Sequence, residues 1–246
     1  MKGGKIDINS DLGEGYGNDA EIMPYISSCN IACGGHFGTR HTIEATIDLA
    51  IQNYVKIGAH PSYPDKNHFG RKRRDMAFGE LNESLIEQIE KVKDIAKQKN
   101  QNLHHIKLHG ALYLESLTNS DLSENIANLM KTHFPECTLY APYSSKMSGA
   151  AVNRNLNIKY EGFADRKYHA DLTLVDRRHP LAILTEAAQV KEQVMLIVEN
   201  NLVKTLEGEL VPIVADTLCI HGDHPKANII AKILFQWLSE NNYLIK

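Results

Sequence analysis

Residues 27–36 read Ser27-Ser28-Cys29-Asn30-Ile31-Ala32-Cys33-Gly34-Gly35-His36, a short strand-like run that ends in two glycines and a histidine. Apolar residues then recur at spacings of three and four from Ile43 to Tyr54, which indicates one buried face of a helix. Residues 55–60 form a second strand-like run, closed by Pro61. Two strands joined by one helix predict a parallel βαβ unit, whose strands end at the same edge of the sheet.

The same cycle of strand, polar corner and helix recurs along the chain, and no low-complexity tract or linker divides it. Further strands are expected at residues 5–9, 103–109, 138–142, 158–165 and 217–221, with a hairpin over residues 203–213. About seven strand–helix repeats in a chain of 246 residues favour closure of the sheet. We therefore expect residues 1–246 to form one domain, an irregular (β/α) TIM-like barrel.

Composition narrows the possible functions. The chain has 27 basic and 30 acidic side chains, and its pI near 6.5 argues against a nucleic-acid-binding face. The mean hydropathy is −0.32, and no apolar run approaches the roughly 20 residues that span a bilayer. The four cysteines form no CxxC pair, which favours reduced thiols. We expect a cytoplasmic protein that contacts neither nucleic acid nor membrane.

Polar side chains gather where the predicted strands end. Strand-end positions carry Asp11, His36, His60, His109, Asp165 and His221. Alternation along the strands places Lys107 and Glu161 on the same inward side as these residues. Barrel enzymes hold their catalytic groups at this end, so a cluster of histidines and carboxylates here predicts an active site.

Some of these residues have more than one interpretation. Asp11, His36 and His60 are compatible with a divalent metal site, but no HExxH or CxxC motif supports one. Asp223 is either the cap of the last helix or a site residue. Glu14 stands between Gly13 and Gly15 in what is either a plain turn or part of the site.

Several ordered blocks resemble the signatures of one family. They are Ile6-Asp7-Ile8-Asn9-Ser10-Asp11-Leu12-Gly13-Glu14-Gly15, Asn30-Ile31-Ala32-Cys33-Gly34 with His36, Gly58-Ala59-His60-Pro61-Ser62-Tyr63-Pro64-Asp65, Lys107-Leu108-His109-Gly110-Ala111-Leu112-Tyr113, Glu161-Gly162-Phe163-Ala164-Asp165-Arg166 and Cys219-Ile220-His221-Gly222-Asp223. From about Ile6 to Ala227 the chain resembles the LamB/YcsF family, the A subunits of prokaryotic ATP-dependent 5-oxoprolinase. The chain departs from the family pattern at Thr39, where the family tends to have an acid, and at Leu108, where it has proline.

The resemblance implies a barrel of the kind also seen in carbohydrate deacetylases. It further implies a subunit that works with 5-oxoprolinase subunits B and C to open 5-oxo-L-proline to L-glutamate. ATP with Mg²⁺ is the implied cosubstrate, and because the chain has no GxxxxGK[ST] loop, the ATP site could lie on a partner subunit. A bound divalent metal and a homo-oligomer both remain open.

The candidate site residues fall into two groups. The candidate catalytic residues are Asp11, His60, Lys107, His109, Asp165 and Arg166. In that hypothesis His109 or His60 acts as general base, cations at Lys107 and Arg166 stabilise negative charge, and the two aspartates orient these groups. The candidate substrate-binding residues are Asn9, Glu14, Asn30, His36, Glu161, His221 and Asp223.

Two other functions are compatible with the same residues. One is a stand-alone metal-dependent hydrolase, such as a carbohydrate N-deacetylase, that uses Asp11, His36 and His60 as ligands. The other is a non-catalytic subunit that binds substrate. The inward polar layer argues against a pure scaffold, because burying polar groups is costly.

Overall fold

A computed structural model describes residues 4–245 of the protein. Within that range the strands are β1 (Lys5–Leu12), β2 (Ser28–Ala32), β3 (Lys56–His60), β4 (His105–Lys107), β5 (Thr138–Pro142), β6 (Ile158–Phe163), β7 (Leu202–Lys204), β8 (Leu210–Pro212), β9 (Thr217–His221) and β10 (Leu244–Ile245). The α-helices are α1 (Asp19–Ile22), α2 (Arg40–Gln52), α3 (Phe78–Gln98), α4 (Gly110–Ser116), α5 (Ser120–His133), α6 (Lys146–Asn153), α7 (Ala187–Asn200) and α8 (Ala227–Glu240). Two short 3₁₀ helices span Met23–Tyr25 and Lys66–His68.

Seven parallel strands close into a barrel. The order around the ring is β1-β2-β3-β4-β5-β6-β9, and β9 pairs with β1 to complete it. The prediction of an irregular (β/α) barrel is confirmed, with seven strands in the ring where a regular TIM barrel has eight. Strand β10 adds to β1 outside the ring. Strands β7 and β8 form a separate antiparallel hairpin, as residues 203–213 predict.

Helices cover the outside of the ring through apolar faces. Helix α2 buries Ile43, Ile47 and Ala50, and α3 buries a longer stripe that includes Leu81 and Leu85. Each leucine or isoleucine that is fully withdrawn from water stabilises the fold by about 1.5–3 kcal/mol. The apolar positions of β1, Ile6 and Ile8, belong to the same buried core. Among the described residues no helix is both long and apolar enough to cross a membrane.

The inside of the barrel is polar, as the alternation along the strands predicts. At the end where the strands begin, the Asp7 carboxylate accepts hydrogen bonds of 2.6 Å from the hydroxyls of Ser28 and Thr217. In the next layer Asn9 Oδ1 accepts a 2.8 Å hydrogen bond from Asn30 Nδ2. Buried polar groups cost free energy unless they are hydrogen-bonded, and these bonds supply partners for Asp7 Oδ2, Asn9 Oδ1 and Asn30 Nδ2.

Some element boundaries differ from those predicted. The fourth strand is only three residues long, because the chain turns after Lys107 and His109 already occupies the N-cap position of α4. Helix α4 itself was not predicted, since seven residues are too few to establish a helical period. Helix α5 begins at Ser120 because the Asn119 side chain accepts a 3.1 Å hydrogen bond from the backbone N–H of Leu122.

Candidate active site

A cavity of about 450 Å³ opens at the end of the barrel where the parallel strands terminate. Its floor and walls include Asp11 from β1, His60 from β3, Lys107 from β4, Phe163 from β6 and His221 from β9. The volume lies in the range of small-molecule sites, roughly 300–1,000 Å³. The cavity therefore occupies the position at which barrel enzymes hold their active sites.

The Lys107 ammonium lies at the centre of the cavity floor. Its Nζ is 2.9 Å from Asp11 Oδ1 and 2.9 Å from Glu161 Oε1, and it is 3.0 Å from the sulfur of Cys219. Burial alone would lower the pKa of Lys107, but Asp11, Cys219 and Glu161 raise it well above its usual value. Burial would raise the pKa of Asp11, but His60 and Lys107 hold it well below the usual range. The floor is thus a charged lysine between two carboxylates.

Three histidines and a glutamate form a compact cluster beside the lysine. His60 Nε2 lies 2.9 Å from His109 Nδ1, and Glu14 Oε1 lies 3.0 Å from His36 Nε2. The His36 and His109 rings stack with centroids 3.6 Å apart. Burial lowers the pKa of His36 and holds that of His109 well below its usual value, so both rings are neutral near pH 7. Sequence analysis predicted each residue, and the structure brings them into contact.

The turn after β1 aims Glu14 at this cluster. Gly13 and Gly15 flank it with φ angles of 72° and 84°, in the left-handed region that glycine occupies without strain. A Cβ at Gly15 would come within 2.5 Å of the Phe37 ring. The Glu14 side chain is 4% exposed, so it is not the solvated turn residue that the plain-turn alternative requires.

Asp165 and His221 form a pair on the opposite wall. Asp165 Oδ1 lies 2.9 Å from His221 Nδ1, and Oδ2 accepts a 3.1 Å hydrogen bond from the His221 backbone N–H. Burial would raise the pKa of Asp165, but His221 lowers it well below the usual range. His221 lines the cavity, whereas Asp165 lies behind it and fixes the orientation of the ring.

Arginines line the rim. Arg71 and Arg177 both donate to Asp223 Oδ2, at 2.6 and 2.5 Å. Asp223 therefore holds two arginines in place. Of the two interpretations given by the sequence, helix cap or site residue, the structure supports the site residue.

Arg166 donates from Nη2 to the carbonyl oxygen of Val175 at 2.6 Å, and its buried Nε has no hydrogen-bond partner among the described residues. Burial and Arg177 lower the pKa of Arg166 to about 10, so it stays charged at neutral pH.

Several predicted substrate-binding residues lie one layer below the cavity lining. Asn9, Asn30, His36 and Glu161 are buried and contact the residues that line the cavity. Asn30 donates to Asp11 Oδ1 at 2.8 Å, for example, and Glu161 pairs with Lys107. These residues position the lining side chains.

The predicted metal triple is only partly assembled. His60 Nε2 lies 3.4 Å from Asp11 Oδ2, but His36 faces Glu14 instead of Asp11. Two other groups bring possible ligand atoms within 4.8 Å of one another: Glu14 with His36 and His109, and Asp11 with Cys219 and His221. The barrel mouth thus has residues that could hold a metal, in sets different from the one predicted.

Sequence analysis missed some residues of the site, among them Tyr113 and Arg177. The Tyr113 hydroxyl donates a 2.7 Å hydrogen bond to Glu161 Oε2 and lines the cavity. Arg177 comes from the irregular segment between β6 and α7, where no pattern singles out one residue. The sequence pointed to Tyr113 only as the last residue of the family block Lys107 to Tyr113. In the structure this tyrosine lies on the first turn of α4 and faces the end of the strand.

A parallel barrel with paired carboxylates, histidines and cations around one mouth defines a (β/α)-barrel enzyme. The sequence model of the LamB/YcsF family matches residues 6–246, and the chain belongs to this family. A protein from Shouchella clausii (strain KSM-K16) that is named as the A subunit of 5-oxoprolinase is 41% identical over 246 residues, covering 98% of this chain and 97% of the relative. Another of that name, from Pyrococcus horikoshii, is 35% identical and covers 98% and 96%.

Solved structures extend the comparison. The lactam utilization protein from Thermus thermophilus superposes with a TM-score of 0.92 at 32% identity, covering 98% of this chain and 99% of that one. A putative cellobiose-phosphate cleavage protein from Enterococcus faecalis V583 superposes with a TM-score of 0.58 at 12% identity, covering 100% and 97%. The second likeness concerns the fold alone.

Proposed function

We propose that this protein is the A subunit of a 5-oxoprolinase that opens 5-oxo-L-proline to L-glutamate and couples the reaction to hydrolysis of ATP. The names of the relatives from Shouchella clausii and Pyrococcus horikoshii support the proposal, as does the lactam utilization protein from Thermus thermophilus. The partners would be 5-oxoprolinase subunits B and C, and residues 1–246 would act as one cytoplasmic domain.

The observation that carries the proposal is the arrangement of cations around the cavity. The substrate has a carboxylate and a lactam oxygen, and phosphorylation adds further negative charge. Lys107 lies on the floor, while Arg166 and Arg177 line one wall. Cations that point into a partly closed cavity stabilise negative charge more strongly than cations in water. The cavity thus has binding groups for both ends of a small anionic lactam.

Coupling to ATP solves a chemical problem. A γ-lactam is a resonance-stabilised amide with a poor leaving group. Transfer of the γ-phosphoryl group of ATP to the lactam oxygen releases ADP and activates the ring carbon. Water then attacks that carbon, the ring C–N bond breaks as nitrogen takes a proton, and an acyl phosphate remains. A second water releases phosphate and leaves L-glutamate.

Individual residues are given roles on geometric grounds. Lys107 would stabilise charge on the lactam oxygen, and Asp11 with Glu161 would fix its position. Arg166, whose Nε has no hydrogen-bond partner among the described residues, would bind the substrate carboxylate or the transferred phosphate. The His60 and His109 pair faces the cavity and would activate the attacking water. ATP with Mg²⁺ would bind mainly to a partner subunit, because this chain lacks a phosphate-binding loop.

The test measures glutamate and ADP together. The chain alone, the complex co-purified with subunits B and C, and the complex containing Lys107→Met would each receive 5-oxo-L-proline, ATP and Mg²⁺. We expect equimolar glutamate and ADP from the complex only, and a loss of about 100-fold or more in the variant. The exposed Lys146 on α6 provides the control, since Lys146→Met should retain full turnover.

Three outcomes would count against the proposal. An intact complex that forms no glutamate would exclude the activity. ATP-independent hydrolysis by the chain alone would instead favour the stand-alone hydrolase, and an activity panel with N-acetylated sugars would follow. A subunit that only binds substrate would be indicated if Lys107→Met changed the substrate affinity without changing the maximal rate.

A further inference from the structure

Two buried ring nitrogens face each other in the cluster beside Lys107. His60 Nδ1 lies 2.8 Å from the carbonyl oxygen of Lys107, and His109 Nε2 lies 2.9 Å from the carbonyl oxygen of Phe69. A carbonyl oxygen can only accept a hydrogen bond, so these two nitrogens carry the protons. With one proton on each ring placed in this way, His60 Nε2 and His109 Nδ1 both present lone pairs, 2.9 Å apart. Such a contact is repulsive unless a cation lies at it.

A third lone-pair donor points to the same place. Glu14 Oε1 lies 3.4 Å from His109 Nδ1 and 3.9 Å from His60 Nε2. The circle through these three atoms has a radius of about 2.0 Å, so one point lies about 2.0 Å from all of them, which matches Zn–N and Zn–O bond lengths. A shared proton would involve only the two nitrogens, whereas a metal ion at this point would bind all three atoms.

The surroundings of the three atoms also suit a metal ion. Each histidine donates its other N–H to a backbone carbonyl, the arrangement that fixes the tautomer and ring orientation of a ligating histidine. Glu14 is held in turn by His36, whose Nε2 is 3.0 Å from Oε1. Glu14, His60 and His109 all line the cavity, whereas His36 does not. A fourth coordination position would therefore open into the cavity, as in catalytic sites.

We propose that Glu14, His60 and His109 bind one divalent transition-metal ion, of the kind for which Zn²⁺ is a suitable probe, at the wall of the cavity. Two imidazoles and one carboxylate with an open position form a ligand set used by zinc hydrolases. This role rests on the proposed function: the ion would polarise the attacking water. Without the ion, the histidine pair would have to take up the proton of that water. Its existence can nevertheless be tested without any activity.

The experiment measures metal binding by the full chain. Protein stripped with a chelator is titrated with Zn²⁺ in competition with a chromophoric chelator, and bound metal is counted by mass spectrometry. Visible absorption after Co²⁺ loading reports the geometry. We expect one ion per chain, and a loss of affinity of about 100-fold or more in Glu14→Gln and in His60→Asn, the latter because His60 is absent from the group of Glu14, His36 and His109. Circular dichroism and thermal melting show whether each variant is folded.

Two controls distinguish this site from others. His221→Asn alters the second group of possible ligands, Asp11 with Cys219 and His221, and should leave the stoichiometry at one. His133→Asn alters an exposed histidine at the end of α5 and should also have no effect. The proposal is overturned if the wild-type chain binds no Zn²⁺, if folded Glu14→Gln or folded His60→Asn binds it as tightly as wild type, or if His221→Asn abolishes binding. Metal bound by an otherwise inactive complex would contradict the proposed function and leave this site standing.

Discussion

Replacing Lys107 by methionine tests whether the charges inside the barrel stabilise the fold as a set. The Lys107 side chain is 2% exposed, and its Nζ lies 2.9 Å from Asp11 Oδ1 and 2.9 Å from Glu161 Oε1. At that separation and an effective dielectric constant near 20, each pair gains about 6 kcal/mol of Coulomb energy, most of which offsets the loss of hydration. Methionine keeps the volume but leaves two carboxylates facing each other without a cation.

We expect Lys107→Met to lower the free energy of unfolding by about 3–5 kcal/mol, the usual cost of leaving a buried charge without its partner. Adding Glu161→Gln removes one of the stranded carboxylates and should recover about 1–3 kcal/mol. Urea denaturation followed by circular dichroism measures both values. Turnover should stay lost in the double variant, because neither substitution restores the cation.

The double variant makes the reasoning refutable. If Lys107→Met were within about 1 kcal/mol of wild type, the lysine would not be stabilising the barrel as an ion partner. If the double variant were no more stable than the single one, the cost would come from packing and not from stranded charge. Glu161→Gln alone is the reference, since Lys107 then keeps its pair with Asp11.

Three further predictions concern other parts of the molecule. A Cβ at Gly58 would come within 2.2 Å of the His105 ring, so Gly58→Ala should lower the free energy of unfolding by about 1–3 kcal/mol. Gly149 in helix α6 is the control: a Cβ there meets nothing within 4 Å, so Gly149→Ala should raise the free energy of unfolding by up to about 1 kcal/mol. Burial and the nearby positive charges lower the pKa of His104 to about 4. Between about pH 6.5 and 4 the unfolded chain therefore binds a proton at this residue that the folded chain does not. The free energy of unfolding falls as the pH drops through this window. His104→Asn should reduce that loss by about 1–2 kcal/mol, allowing for partial exposure of the ring, as urea titrations at pH 7 and 4.5 would measure. Arg166→Lys keeps the charge but loses the planar fork of donors, and should raise the KM for 5-oxo-L-proline about 10-fold or more in the complex with little change in Tm.

Each of these has an outcome that contradicts it. Equal stabilities of the two alanine variants would show that the barrel interior can move away from Gly58. Parallel pH profiles of wild type and His104→Asn would show that this ring does not take part in the acid sensitivity. An unchanged KM in Arg166→Lys would remove the guanidinium from substrate binding.

Sequence analysis could predict the inward layer because a strand has a period of two. That period alone places Asn9, Lys107 and Glu161 on one side of their strands, and the structure brings them into one network. The position of a strand in the ring matters little for this inference, since inward side chains at the same height of a closed barrel converge near its axis.

Two other features could not be predicted in the same way. The strand tilt and turns such as the one at Glu14 decide which inward residues become neighbours. The distances between these side chains cannot be read from the spacing of residues along the sequence. His36 illustrates the limit, because it follows a strand end but is buried behind Glu14 instead of lining the cavity. Arg177 illustrates another, since irregular segments have no period from which to infer a direction.

Within the ring, β6 pairs directly with β9, and Glu161 is in register with Thr217. The long connection between these strands supplies Arg166 and Arg177 to the cavity wall. It is also tied to β6, because the Tyr168 hydroxyl accepts a 2.6 Å hydrogen bond from the backbone N–H of Phe163. The cavity floor is therefore built into the strands, and one wall is carried by a connection between two of them. Exchanging that connection between family members, with the contact from Tyr168 to β6 kept, would be a way to alter which lactam is accepted.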